Sequence, residues 1–318
     1  MNLNEFEIID RYFKVVGQKN SGVILGPGDD CAVLAFSDRE EVCVSTDTLI
    51  EGVHFPEDCD ASLVASRLVG ANLSDLAAMG ALPHSCLIAL TMPDVKKAWL
   101  EEFSTTLSDL LGKYGLALVG GNISKGNLSL TMTVLGTVPI GQALTRSGAM
   151  PGDLVCVTGT LGDGRKGLND LLSGQESSTD MTSRYSAPIP RLEMGRQLLG
   201  LATAMIDISD GLLADLSHLC NASQVGAVIE LVSVPVSADL VSSLGYLEAR
   251  SLGLTAGDDY ELCFTVPAAC SIDLNTLAKG SGLRITRVGC IKAGLGVEVL
   301  DYEGNYLDLR DLGYRHFS

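Results

Sequence analysis

The sequence predicts an α/β protein built as two domains. Three observations carry this reading. Short β-branched apolar segments alternate with helical stretches in both halves of the 318 residues. A Gly/Pro-punctuated connector, TRSGAMPGD at 145–153, lies between the halves. The length also suits two domains at roughly 150 residues each. The expected division is residues 1–148 and 149–318. With 46% hydrophobic and 19% charged residues, the chain can bury enough apolar surface to offset the entropy of ordering it.

Each element follows from local pattern. Residues 31–48 alternate short apolar runs with turns, and EEVCVSTDTLI reads as a strand whose end turns acidic. A helix is expected from about Ser62 to Met79, then the strand SCLIALTM, a helix from Val95 to Lys113, and the strands LALVG and NLSLTMTVLGTV. After the connector, LVCVTG starts a second series. It comprises a strand at 203–207, a helix from Asp210 to about Asn221, a strand at 226–232, and strands near 261–266 and 284–291. The Ser/Thr-rich stretch SGQESSTDMTS (173–183) reads as a mobile loop.

Charge and composition exclude several function classes. Lys+Arg total 22 against 39 Asp+Glu, a net charge of −17, and no basic run is present to track a nucleic-acid backbone. No apolar stretch approaches the ~18 residues of a membrane span. The N-terminus, MNLNEFEIIDRYF, has acids where a signal peptide has a basic region, so the cytoplasm is expected. Nine cysteines without a C-x-x-C pair read as small buried hydrophobes.

Common catalytic and phosphate-binding motifs are missing. There is no G-x-x-x-x-G-K-[ST], H-E-x-x-H or G-x-S-x-G. Gly162–Gly167 matches G-x-G-x-x-G, but an acid fills its first variable position and the surrounding βαβ unit is lacking. A strand-to-helix turn is the simpler reading there.

What stands out is a set of carboxylates at Gly-flanked ends of apolar elements. These are Asp29 and Asp30 in LGPGDDCAVL, Asp47 in VCVSTDTLI, Asp75 in GANLSDLAAMG, and Asp207 and Asp210 in AMIDISDGLL. Asp258, Asp259 and Glu261 in TAGDDYELCF complete it. Carboxylates are rarely buried unless paired or bound to a metal, and few Lys or Arg accompany these segments. Val64, Leu68, Ala71 and Asp75 fall on one helical stripe, placing that acid among apolar neighbours. Such oxygen-rich sets suit Mg²⁺ shared with substrate phosphates; alternatively, each acid caps a nearby turn. Ser209 or Asp210 can N-cap the helix that follows, or the free N–H groups there can hold phosphate. Gly120-Gly121 offers open backbone for a ligand, or merely a turn. A lone histidine is usually structural, and His54 is singled out only because it follows the acidic strand.

Taken together, GPGDDCAVL, STDTLIEGVHF, NLSDLAAMGA, LVGGNISKG, LTRSGAMPGD, VTGTLGDG, IDISDGLLADL and GDDYELCF resemble the thiamine-monophosphate kinase family, collinearly over essentially the whole chain. That family belongs to the ATP-binding superfamily that includes aminoimidazole-ribonucleotide synthetase. The resemblance implies an N-terminal α/β domain that dimerises, a C-terminal α+β domain, and ATP held in a cleft by several Mg²⁺ ions. The implied reaction is ATP-dependent phosphorylation of thiamine monophosphate, with no covalent enzyme intermediate. By resemblance, Asp30, Ser45, Thr46, Asp47, Asp75, Asn122, Asp207 and Asp210 are the metal ligands. Gly121, Asn122, Arg146 and Ser209 are implied to contact ATP, and His54, Asp258 and Tyr314 thiamine phosphate.

Two positions depart from the family pattern. Asn122 replaces an Asp, keeping an oxygen but losing its charge, and Asp258 replaces a Glu, shortening its reach by one methylene. A related synthetase is one alternative, although the N-terminal Cys/Lys pair expected for selenophosphate synthesis is missing. The other is a non-catalytic nucleotide or Mg²⁺ binding module, for which Asn122 is the argument.

Overall fold

The computed structural model describes residues 5–14, 16, 20, 22–27, 31–174 and 180–307. Asp29, Asp30 and Tyr314 lie outside these residues. The chain separates into one unit of residues 1–76 and 81–141, and another of 77–80 and 142–318.

The first unit opens with α1 (Glu5–Ile8), a π-helical turn (Ile9–Phe13) and a short antiparallel pair, β1 (Val23–Leu25) and β2 (Val33–Leu34). Its main sheet uses β3 (Glu40–Ile50), β4 (Leu82–Met92), β5 (Ala117–Lys125) and β6 (Ser129–Pro139), in the order β3-β6-β4-β5. Helices α2 (Ala61–Ala78) and α3 (Lys97–Tyr114) provide the crossovers. Only β4 and β5 run parallel, which requires the long α3 connection. The expected helices lie within two residues of these bounds. Strand β5, however, continues through Gly120, Gly121 and Asn122, where a strand end or turn was expected.

Gly121 has a local reason to be glycine, since a Cβ there would fall 1.9 Å from the Ile88 carbonyl oxygen of β4. On β3, residues alternate between faces. Ser45, Asp47 and Leu49 face α2, while Val42, Val44, Thr46 and Thr48 lie on the other face. α2 is nearly all buried, with Val64, Leu68 and Ala71 in the core as the stripe requires.

The second unit has a six-stranded sheet, β12-β9-β11-β7-β10-β8. Its elements are β7 (Leu154–Thr158), α4 (Asp163–Leu172), α5 (Asp180–Ser186), α6 (Leu192–Gln197), β8 (Ala204–Ile208) and α7 (Leu212–Ser223), followed by β9 (Gly226–Glu230), α8 (Ala238–Leu244) and α9 (Tyr246–Thr255). Strand β10 (Glu261–Val266), α10 (Ser271–Ser281), β11 (Ile285–Lys292) and β12 (Gly296–Leu300) close the order. Every residue of β8 and β10 is buried, as apolar strands covered on both faces require. The stretch expected as a loop at 173–183 gives way to α5 from Asp180, and Gly162 ends a turn into α4. Cys86, Cys156, Cys220 and Cys263 are buried as expected. Cys31 is exposed, and Cys43, Cys59, Cys270 and Cys290 are half-buried.

Candidate functional site

In the first unit, the pleat of β3 directs Ser45 and Asp47 toward α2. Ser45 Oγ donates to Asp75 Oδ2 at 2.5 Å. The Asp47 N–H donates to Asn72 Oδ1 at 3.3 Å, and Asn72 is itself fixed by donating to the Leu68 carbonyl at 2.9 Å. Burial, reinforced by the charge of Asp75, pushes the Asp47 carboxyl up to about 6. Two like charges are thus held near each other by the fold, an arrangement a divalent cation relieves. The donors are carboxylate, hydroxyl and amide oxygens, which fit Mg²⁺. Among the described residues no three His, Cys, Asp or Glu gather around one point. A Mg²⁺ ion here would therefore keep waters or substrate phosphates in its shell, its usual habit.

His54 lies on the turn leaving β3. The Ile50 N–H donates to its Nδ1 at 3.1 Å, so the neutral ring carries its proton on Nε2. Thr46 Oγ1 sits on the opposite face, 2.9 Å from Thr133 Oγ1. Its hydroxyl therefore does not join Asp47 within the unit, leaving its carbonyl as the available oxygen. Gly121 and Asn122 are also apart from this group. They lie on edge strand β5, three strand spacings from β3 in the same sheet, or roughly 14 Å. Asn122 pairs in register with Ala89, on the face Thr46 shares.

In the second unit, the loop after β8 and the loop before β10 are stitched together. Asp258 N–H donates to Ser209 O at 2.9 Å, and Tyr260 N–H to Ile208 O at 2.8 Å. Gly257 permits the approach, since a Cβ there would lie 2.3 Å from Ser209 O. Asp258 and Tyr260 both hold left-handed φ values, 69° and 52°. Such conformations are disfavoured for side-chain-bearing residues and gather at functional loops. Tyr260 OH donates to Asp258 Oδ1 at 3.3 Å. Ser209, Asp210 and Asp258 are thereby brought together at one end of the sheet, with Asp207 on β8 just behind them. Thr145 O accepts from Met205 N–H at 2.8 Å, holding the Arg146 segment beside the edge strand β8.

The cap on α7 is not the expected one. Neither Ser209 nor Asp210 caps it; Asp215 Oδ2 reaches back from the first turn to accept the N–H groups of Ser209, Asp210 and Gly211 at 3.0, 3.1 and 3.1 Å. Burial and the nearby Asp210 push the Asp215 carboxyl up to about 7, although these three donors pull it down. Two other acids singled out by sequence are also satisfied structurally. Asp259, fully buried, accepts from Gly162 and Gly164 N–H at the start of α4 (2.8 and 3.3 Å), and burial still pushes its carboxyl up to about 8. Burial also opposes the charge on Glu261, but Arg191, Arg184 and Thr158 hold it below its ordinary range. Ion pairing does explain Glu261, because its arginines come from α5 and from the residue preceding α6, about 70 positions earlier in the chain. Asp215, Asn72, Arg184 and Arg191 were missed by the sequence reading; an acid in the first turn after a glycine is the one legible signal, and it belongs to Asp215.

These features define a two-domain α/β protein in which each unit brings acids together on neighbouring elements. Residues 28–138 match the family model described as AIR synthase related protein, N-terminal domain, and residues 150–301 its C-terminal domain. The Escherichia coli K12 thiamine-monophosphate kinase is 42% identical over 100% of this chain and 99% of its own. The Stenotrophomonas maltophilia thiamine-monophosphate kinase structure matches with a TM-score of 0.83 at 41% identity, covering 88% of this chain and 91% of that one. A structure described as AaThiL complexed with AMPPCP and TMP matches at 0.78 and 31% identity, over 100% and 99%. The chain belongs to the AIR synthase related family and, within it, to the thiamine-monophosphate kinases.

Proposed function

We propose that this enzyme transfers the γ-phosphoryl group of ATP to thiamine monophosphate, giving thiamine diphosphate and ADP. The observation that carries this is the full-length 42% identity to a thiamine-monophosphate kinase. An oxygen of the acceptor phosphate, already ionised near neutral pH, attacks the γ-phosphorus in line. The bond from that phosphorus to the β-phosphate oxygen breaks, and its electron pair leaves with ADP. No protein base or covalent intermediate is needed, so positioning and charge neutralisation dominate.

In this reading Ser45, Asp47, Asp75, Asp207 and Asp210 hold Mg²⁺, with Asp30, Asn122 and the Thr46 carbonyl as further oxygens. Mg²⁺ bound there supplies positive charge to the phosphate chain. Arg146 clamps phosphate through its two-pronged guanidinium, Gly121 and Ser209 contact ATP, and His54, Asp258 and Tyr314 contact thiamine phosphate. Residues 1–148 form the metal, ATP and dimerisation domain, and 149–318 the second domain. No helix among the described residues is long and apolar enough to cross a membrane, and a cytoplasmic location suits the substrates. Incubation with ATP, Mg²⁺ and thiamine monophosphate tests the proposal. Thiamine diphosphate and ADP must appear together; tight ATP binding without turnover would favour a non-catalytic module.

The working form is proposed to be a homodimer. One face of the first unit's sheet carries Val42, Val44, Ile50, Leu82 and Leu87, each more than a third exposed, with Val44 at 62%. An uncovered apolar sheet face of this kind marks an interface. Sedimentation of wild type and Val44→Glu measures this: a wild-type monomer that is fully active would overturn it.

A further inference from the structure

The second unit holds a cavity of about 650 Å³ between the connector after β9, α8, the start of α9 and β11. Among the described residues, none of those assigned above to ATP, metal or thiamine phosphate lines it, and no Asp or Glu does. Arg250, Arg284 and Arg287 do. In a chain with 39 acids and 22 bases, three guanidinium groups around one hollow whose described lining holds no acid run against the composition.

These arginines are weakly engaged within the protein. Arg287 meets Glu230 at 3.6 Å, with both side chains about half exposed, a pair that solvent screens. Arg284 donates through Nε to Thr286 Oγ1 at 3.1 Å, and no carboxylate among the described residues pairs with it. Arg250 donates to Tyr302 OH at 3.1 Å and lies 5.7 Å from the Tyr246 ring centroid. Its Nε is buried with no hydrogen-bond partner among the described residues, an uncommon condition for a donor.

We propose that this cavity binds the di- or triphosphate of a phosphorylated small molecule without a metal ion. Guanidinium groups match phosphate oxygens in paired hydrogen bonds, and the volume suits a nucleotide-sized ligand. Tyr246, 66% exposed, offers a ring face for an aromatic portion. This mode is opposite in charge to the carboxylate groups above, which hold phosphate only together with cations. The proposal is independent of the kinase reading.

The test is calorimetric titration of inorganic pyrophosphate into the full chain in EDTA at fixed ionic strength. One site per chain is expected. Arg284→Ala with Arg287→Ala should weaken it at least tenfold, whereas Arg284→Lys with Arg287→Lys, which keeps the charge but loses the fork, should weaken it less. Arg146→Ala should leave it unchanged. Absence of binding to the wild type, equal affinity in the double alanine variant with an unchanged unfolding midpoint, or loss in Arg146→Ala would each overturn the assignment. The double lysine variant decides the matter if the alanine variant does not fold: it must then bind more weakly than wild type.

Discussion

Removing the Asp215 carboxylate tests how the loop bearing Ser209 and Asp210 is held in shape. One oxygen accepts three backbone N–H groups at 3.0 to 3.1 Å. Ser209 is exposed and Asp210 half-buried, so water can replace the carboxylate at both. Gly211 is buried, and in Asp215→Ala its N–H loses its acceptor. A hydrogen bond to a charged group contributes about 1.5–3 kcal/mol, and an unsatisfied buried donor costs about 1–3 kcal/mol. Relief of the buried charge, visible in a carboxyl pushed up to about 7, offsets part of this. A net loss of about 2 kcal/mol in loop order corresponds to roughly 30-fold in affinity. The expected result is therefore a KM for ATP raised by about that factor, with the KM for thiamine monophosphate changed far less. Asp215→Asn keeps an acceptor oxygen and should recover most of the loss. Steady-state kinetics with ATP varied at saturating Mg²⁺ supply the measurement. A folded Asp215→Ala enzyme whose KM for ATP stays within about twofold of wild type, well under the 30-fold derived from these bonds, would refute the reasoning.

Glu261→Gln should destabilise the second unit by about 3–5 kcal/mol, because it strands two largely buried arginines. At about 2–4 °C per kcal/mol the unfolding midpoint should fall by about 6–20 °C, and a drop below about 3 °C would contradict the ion-pair account. Glu261 is held below its ordinary range, so its contribution is present above the ordinary carboxylate pKa and disappears as pH falls through the lowered one. Asp259 has the reverse sign: its contribution is present below the ordinary Asp value and lost as pH rises through about 8. The midpoint of Asp259→Asn relative to wild type should therefore improve between pH 5 and 9, read by differential scanning calorimetry. Asn122→Asp should lower the Mg²⁺ concentration for half-maximal kinase activity, and an unchanged titration would remove Asn122 from the metal shell.

Local pattern made the elements legible because their determinants are local. The helix over 61–78 is written in its Ala and Leu content and in the Val64, Leu68, Ala71 stripe, and the strand over 261–266 in Leu262, Cys263, Phe264 and Val266. The sites were legible as acids in apolar surroundings, but sequence could not sort them by partner. Glu261 looked like Asp47 until Arg184 and Arg191 arrived from distant parts of the chain. Asp259 was explained by the start of α4, nearly a hundred residues earlier. Strand parity could have flagged Thr46, since it follows Ser45 and precedes Asp47 in one strand and must point the other way. The placement of Asn122 on the far edge needed the sheet order, which no local signal carries.

Sorting the acids by partner changes what the net charge of −17 means for an anionic substrate. Glu261 is neutralised by two guanidinium groups, while Asp215 and Asp259, their carboxyls pushed up to about 7 and about 8, accept from backbone N–H groups. These acids hold loops and add little field at a bound phosphate. Asp47 and Asp75 are different, because the fold presses like charges together and burial raises the cost. A phosphate chain approaching that pair alone would meet repulsion, and one arriving with Mg²⁺ would relieve it. Affinity for ATP should therefore depend steeply on Mg²⁺, whereas pyrophosphate at the arginine-lined cavity should not. The two behaviours separate in a single pair of titrations, with and without EDTA, and they follow from the sign of the charges that line each site.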